Sequence, residues 1–269
     1  MMKKSTMLAT SLALVLGVIF LLSLWKDLFP PSPPEPVRQA VVHPTPPRAP
    51  EAPAVIQPVP ELPARKEEPI QPLPALDDSD AALATELRGL APESSPEDLF
   101  LLDHFIRRLV LLVDTLPKAQ LATNRLPTRP VAGSFQVDGE EDQAVIHPEN
   151  TQRYDPFVRF VEGLDAQKAV ALYVRFSPLF QQAYRDMGYP DGSFHARLME
   201  VIDHLLRTPT VEEPIRVKRH VVRYRFVDPE LEALSAGRKI LLRIGPQNAL
   251  KVKSKLSEIQ GLLLNLPPG

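Results

Sequence analysis

The sequence predicts a mainly α-helical domain with a small antiparallel β-sheet, an α+β fold, carried by a single N-terminal transmembrane helix. Three observations support this prediction. The chain opens with an uncharged apolar run, continues with a proline-rich stretch, and then shows apolar residues at helical spacing around a few short alternating segments. We therefore expect a cytoplasmic N-terminus at 1–4, a transmembrane anchor at 5–25, a disordered linker at 26–75 and a soluble domain at 76–266.

The apolar run is long enough to cross a bilayer. No residue between Ser5 and Trp25 is charged, and about 20 residues at a rise of about 1.5 Å span a hydrocarbon core of about 30 Å. A cleaved signal peptide is the alternative, but the run does not end in the small-x-small pattern of a cleavage site. Lys3 and Lys4 precede the run, whereas Asp27 offsets Lys26 after it. The positive-inside rule then places the N-terminus in the cytoplasm and the domain outside it.

The stretch that follows cannot form regular structure. Residues 30–74 contain 16 prolines in 45 positions, and each proline fixes φ and removes an amide donor. We expect an extended polyproline-type spacer, with a reach on the order of 140 Å when fully extended.

The domain opens with two predicted helices. Asp77, Asp78 or Ser79 can cap a short helix that runs to Leu90. Ser95 as the N-cap, with a proline after it, predicts a second helix that continues to Leu116. Because this second segment is apolar around nearly its whole circumference, we expect it at the centre of the core, with Arg107 paired to Asp103 and Asp114 on the remaining strip.

The strands are expected in two places. Segments 134–137 and 144–146 flank the acidic turn Asp138–Asp142 and predict a hairpin. Segment 215–227 predicts a third strand, in which the apolar positions change parity. A change of parity indicates a bulge, which we place near His220.

The later helices are indicated by apolar stripes and by capping residues. The expected segments are Tyr154–Gly163, Ala166–Met187 capped by Asp165, Phe194–Arg207 after a turn at Tyr189–Gly192, a helix that starts at Asp228–Glu230, and a last helix after Gly245–Pro246.

One predicted helix carries four side chains that could ligate a metal: His195, Glu200, Asp203 and His204. Helical geometry argues against a metal site. At about 100° per residue, the two histidines point to opposite sides of a straight helix. Glu200 with His204, and Asp203 with Arg207, are expected to be ordinary surface pairs.

No catalytic residue is assigned from the sequence. Ser134 and Ser193 do not lie in a G-x-S-x-G elbow, and the chain has no cysteine nucleophile. Phosphate-binding glycine motifs are absent, so no cofactor is expected. One enzymatic alternative stays open, an envelope hydrolase that uses carboxylates near Asp191.

Those carboxylates would be drawn from a group of acidic residues that the sequence does not distinguish from one another. The candidates are Asp155, Asp165, Asp191 and Glu200.

Charge is unevenly distributed along the domain. Residues 77–214 contain 13 basic and 23 acidic residues, a net charge of -10, whereas residues 215–260 contain 11 basic and 4 acidic residues, a net charge of +7. The basic end could present a surface to an acidic protein, an anionic polymer or lipid head groups. It could instead pack against the acidic part of its own domain, which is the interpretation we favour at this point. The basic residues are Arg216, Lys218, Arg219, Arg223, Arg225, Arg238, Lys239, Arg243, Lys251, Lys253 and Lys255.

Four stretches of the domain resemble a proteobacterial family catalogued as domain of unknown function three-thousand-and-fourteen. They read PALDDSDAAL, YDPFVRFVEGLD, YRDMGYPDGSFHARLMEVIDHLL and FVDPELEALSAGRKILLRIGP. The resemblance implies a bacterial protein of the inner membrane, and it transfers no functional residue.

The first functional hypothesis is a non-enzymatic interaction or scaffold module that faces the periplasm. Its expected contacts are the lipid bilayer through the N-terminal helix and an envelope protein or anionic polymer through the basic region. No nucleic-acid partner is expected on that side of the membrane. A reversed topology, in which the basic end meets anionic lipid or nucleic acid in the cytoplasm, is the other alternative.

Overall fold

The computed structural model describes residues 72–90, 95–140, 143–221 and 223–266. The predicted anchor at 5–25 and almost all of the predicted linker lie outside these ranges. Within them, no helix combines the length and the apolar character that crossing a membrane requires.

The described residues form a mainly helical structure with two small antiparallel sheets, which confirms the α+β fold class. Short 3-10 helices at Leu76–Asp78, Thr123–Arg125 and Pro148–Tyr154 join some of the elements. The α-helices are α1 Asp80–Leu90, α2 Pro96–Leu99, α3 Phe105–Thr115, α4 Asp155–Gly163, α5 Ala166–Asp186, α6 Phe194–Leu206, α7 Pro229–Glu232, α8 Ala236–Arg243 and α9 Pro246–Leu264.

The single helix predicted between Ser95 and Leu116 is wrong, because the chain breaks it into α2 and α3. Phe100 is extended and pairs with Thr128 as an isolated β-bridge. His104 then adopts a left-handed conformation with φ 49°. The carboxylate of Asp80 in α1 accepts from the amides of His104 at 2.7 Å and Phe105 at 3.1 Å. A carboxylate from another helix therefore caps α3, an interaction that local sequence does not reveal.

Helix α3 lies at the centre of the core, as its apolar circumference predicts. It packs against α5 and α6, and α9 packs against α4, α5 and α6. The charged strip of α3 is paired differently from the prediction. Arg107 bonds Asp77 and Asp186, and Arg108 bonds Asp103.

The helix-starting signals after residue 150 are mostly confirmed. The side chains of Asp165, Ser193 and Asp228 accept from backbone amides at the starts of α5, α6 and α7. Pro178 lies inside α5, which continues through it. The segment after Asp228 is two helices rather than one, because Ser235 accepts from the amide of Arg238 and starts α8 anew.

The strands form two hairpins. β1 Val137–Asp138 pairs with β2 Val145–Ile146, as predicted. The segment predicted as one bulged strand is instead β3 Val217–His220 and β4 Arg223–Phe226, joined by a two-residue turn. A bridge between Val145 and Arg216 connects the two hairpins.

A second, smaller core lies beneath these strands. Its buried members are Ala144, Ile215, Val217, Phe226 and Leu242. Leu242 belongs to α8, which also contributes Ile240 and Leu241 to the main core. Helix α8 therefore fixes the hairpins to the helical body.

We expect Gly237→Ala to lower the free energy of unfolding by about 1–3 kcal/mol, measured by chemical denaturation. A Cβ at Gly237 would lie 2.7 Å from Cδ2 of Leu205 and 3.2 Å from the carbonyl oxygen of Leu116. The matched control is Gly261→Ala in α9, which has no neighbour within 4 Å of its Cβ. That change should raise stability by about 0.5–1 kcal/mol, because alanine favours helix. Equal effects of the two changes would contradict the close packing of α8.

Candidate functional site

The structure does not bring the four side chains considered for a metal onto one point. His195 Nδ1 contacts the hydroxyl of Tyr173 at 3.1 Å, and His204 Nε2 contacts the hydroxyl of Ser235 at 2.7 Å. Among the described residues, no three His, Asp or Glu side chains are arranged to hold an ion.

The two acidic members of that set make ordinary ion pairs. Asp203 pairs with Arg207 at 2.7 Å, as predicted. Glu200 pairs with Arg197 at 2.9 Å rather than with His204. Burial lowers the pKa of both His195 and His204, so each imidazole favours its neutral form.

The four carboxylates considered for hydrolysis have separate local roles. Asp155 is the exposed first residue of α4, and Asp165 caps α5. Asp191 is exposed in the turn before α6. Glu200 alone of the four lines the open cleft of about 440 Å³ beside that turn. That cleft is therefore not lined by a pair of these four acids, which the hydrolase hypothesis requires.

Another carboxylate that lines the cleft is that of Asp114, and two cations lie beside it. Its side chain is 5 % exposed, accepts from Lys118 Nζ at 2.7 Å and lies 3.2 Å from Arg197 Nε. Tyr189 donates a further hydrogen bond at 3.3 Å. These bonds tie α3 to α6 and to the turn before α6, so Asp114 acts as a structural anchor.

The basic residues of the C-terminal helices are mostly satisfied inside the domain. Lys251 pairs with Glu162, and Lys239 pairs with Glu232. Others donate to backbone carbonyls: Arg238 to His204, Lys253 to Thr208 and Lys255 to Leu164. For this part of the basic region, the expected packing within the domain is what the structure shows.

The hairpin of β3 and β4 behaves differently. Arg216, Lys218 and Arg225 are exposed, and none makes an ion pair within the described residues. Lys218 stands directly opposite Arg225, and His220 stands directly opposite Arg223. Since opposite residues of an antiparallel pair share a face, these cations lie together on one side of the ribbon.

We call this side, made of Arg216, Lys218, His220, Arg223 and Arg225, the basic face. Like charges directly opposite each other destabilise a strand pair. Desolvation, and secondarily the charge of Arg225, lowers the pKa of Arg223 to about 10. The hairpin therefore keeps an arrangement of charges that its own folding does not favour.

The side of the ribbon opposite the basic face attaches the hairpin to the rest of the domain. Val217 and Phe226 are buried, and the ring of Tyr224 lies 5.8 Å from that of Phe135. The guanidinium of Arg243, which is 1 % exposed, stacks 4.4 Å from the ring of Phe226 and donates to the carbonyl of Tyr224 at 3.3 Å. Burial lowers the pKa of Arg243 to about 10.

The turn at the tip of the ribbon exposes an apolar side chain. Val221 is 77 % exposed and has φ 58°. A left-handed residue is usual at the first position of a two-residue hairpin turn, but asparagine, aspartate or glycine normally occupies it. Sequence reasoning found the cluster of cations but missed their shared face, because valine at the tip does not signal a turn.

A model of one family, described as "Protein of unknown function (DUF3014)", matches residues 105–260. No curated protein and no solved structure is significantly similar to the chain.

We expect Asp114→Ala to lower the free energy of unfolding by about 3 kcal/mol, because it removes the buried carboxylate beside the partly buried guanidinium of Arg197 and leaves only the exposed carboxylate of Glu200. The matched control is Asp203→Ala. Its partner, Arg207, has a side chain 72 % exposed, so this loss should change stability by about 0.5 kcal/mol or less. Thermal or chemical unfolding measures both, and a similar small effect of the two changes would refute the anchoring role of Asp114.

Proposed function

This chain belongs to the family described as protein of unknown function DUF3014, and from that premise we propose that it is a non-enzymatic interaction module whose basic face binds an anionic partner. The observation that carries the proposal is the contrast between two groups of cations. Those of the C-terminal helices are bound within the domain, whereas Arg216, Lys218 and Arg225 are exposed without ion pairs among the described residues.

Opposed like charges weaken the pairing of β3 with β4, and a two-stranded ribbon is marginally stable by itself. An anionic partner would remove this repulsion and would meet a set of side chains already held on one plane. Such complementarity raises the rate and the selectivity of association.

We further propose that residues 5–25 anchor the chain in the inner membrane of a bacterium, with the domain in the periplasm. The uncharged run, the lysines before it and the proline-rich spacer after it support this topology. The spacer would let the domain search a volume around its anchor.

We expect the full chain, in detergent, to be retained on immobilised heparin and on immobilised polyglutamate, and to elute as salt is raised. Lys218→Gln combined with Arg225→Gln should lower the salt concentration of elution, because it removes a directly opposed pair of cations.

The matched control is Arg159→Gln combined with Arg185→Gln. These two arginines are also exposed and removing them changes the net charge equally, so elution should stay close to that of the unmodified chain. Equal shifts for the two double variants would show that net charge alone governs retention, and the proposal would fail.

We expect alkaline phosphatase fused after Gly269 of the full chain to be active in a bacterial host, because that enzyme folds in the periplasm. A control fusion in which Lys3 and Lys4 are changed to glutamate, and Lys26 is kept, should lose activity as the positive-inside bias reverses. An inactive fusion of the unmodified chain would place the domain in the cytoplasm.

A further inference from the structure

We infer that the anionic partner of the basic face is the head-group surface of a lipid bilayer, with Val221 entering the boundary between head groups and acyl chains. This inference rests on the proposed function and adds the chemical identity of the partner. It draws on the side chain at the hairpin tip, on its backbone conformation and on the placement of the surrounding charges.

Val221 is the first feature that points to a bilayer. It is 77 % exposed directly after His220, which pairs with Arg223 across the ribbon. An exposed apolar tip among cations resembles the chemistry of a membrane interface, where apolar groups enter the acyl boundary and basic groups meet phosphates. An acidic peptide or a nucleic acid would interact with the cations and would gain little from the valine.

The backbone of Val221 is strained in a way that favours a functional role for this side chain. Its φ of 58° lies in the left-handed region, where a β-branched residue is a genuine outlier. Asparagine or glycine would occupy the same turn with less strain. Backbone strain of this kind concentrates at functional sites, and here it maintains an apolar side chain where solvent alone would favour a polar one.

The charges around the tip have the geometry of a flat contact. Residues on one face repeat about every 6.6 Å along a strand, and opposed residues are about 5 Å apart. Arg216, Lys218 and Arg225 therefore extend the cationic patch away from the tip in one plane. A planar, multiply charged partner can meet all of them at once.

Three acidic side chains, Glu232, Asp228 and Asp138, make their contacts away from Arg216, Lys218 and Arg225. Glu232 binds Lys239 and the amide of Phe226, and Asp228 caps α7. Asp138 lies 3.6 Å from His147. None of these three acids forms an ion pair with Arg216, Lys218 or Arg225 among the described residues.

The chain contains no cysteine, so one introduced cysteine gives a unique label. We expect the full chain carrying Val221→Cys with the fluorophore NBD, reconstituted in mixed phosphatidylglycerol and phosphatidylcholine vesicles, to show blue-shifted emission. Spin-labelled lipid should quench this emission, and high salt should reverse the shift. In vesicles of phosphatidylcholine alone, the emission should match that of an exposed label.

A label at Thr85→Cys, exposed on α1, is the positional control and should respond to neither lipid. The inference is overturned if the label at position 221 gives the same emission in both bilayers, or if the two labels respond alike.

The charge variant tests the basic face in the same vesicles. Each cation near an anionic surface changes the partition about fivefold, so Lys218→Gln with Arg225→Gln should weaken the lipid-bound state about 25-fold. Arg159→Gln with Arg185→Gln should leave it unchanged, and an equal effect of the two pairs would overturn the inference.

Val221→Asn separates structure from binding. Asparagine suits the left-handed turn, so the thermal midpoint should stay the same or rise, while the response to phosphatidylglycerol vesicles should fall. The salt needed to elute this variant from heparin should not change. A variant of unchanged stability that still binds these vesicles as the unmodified chain does would overturn the role of Val221.

Retention on polyglutamate without any response to phosphatidylglycerol would assign the face to an acidic polypeptide. That result would overturn the lipid inference and leave the proposed function standing. Retention that does not depend on Lys218 and Arg225 would contradict both the lipid inference and the proposed function.

Discussion

The contact of Arg243 with Phe226 holds the β3–β4 hairpin, and with it the proposed binding surface, in place. A two-stranded ribbon is marginally stable by itself, and β3 and β4 carry like charges opposite each other. The ribbon persists because its inner side is buried against α8, where the Arg243 guanidinium stacks 4.4 Å from the Phe226 ring and bonds the Tyr224 carbonyl. Packing on one side thus permits a charge arrangement on the other that would otherwise separate the strands.

Folding sorts the charges of the chain into two kinds. Asp114, Lys239 and Lys251 meet partners within the domain and serve its stability. Arg216, Lys218 and Arg225 of the basic face are exposed to solvent on one side of the ribbon. This difference in environment, rather than the total number of basic residues, is what separates a structural charge from one available to a partner. It also explains why the asymmetry of charge along the sequence supported two interpretations: packing within the domain describes the C-terminal helices, and the binding surface that we propose concerns the β3–β4 hairpin.

Much of the fold could be predicted from local patterns, and the errors in the prediction have identifiable causes. The stripe of α9 and the capping roles of Asp165 and Ser193 follow from helical period and from side chains that bond nearby amides. The break between α2 and α3 could not be predicted, because the carboxylate of Asp80 that caps α3 comes from another helix. The β3–β4 turn was missed because Val221 resembles a strand residue, and only the left-handed backbone distinguishes it.

By itself, the sequence determined the α+β class, most helix positions, the family resemblance and the concentration of positive charge after residue 215, because these depend on composition and on neighbours in the chain. Tertiary structure alone decided which cations are satisfied and which share a face, because strand register and long-range packing set those relations. The candidate site belongs to this second group. Its cations are visible in the sequence, and their common plane exists only once β4 turns back along β3.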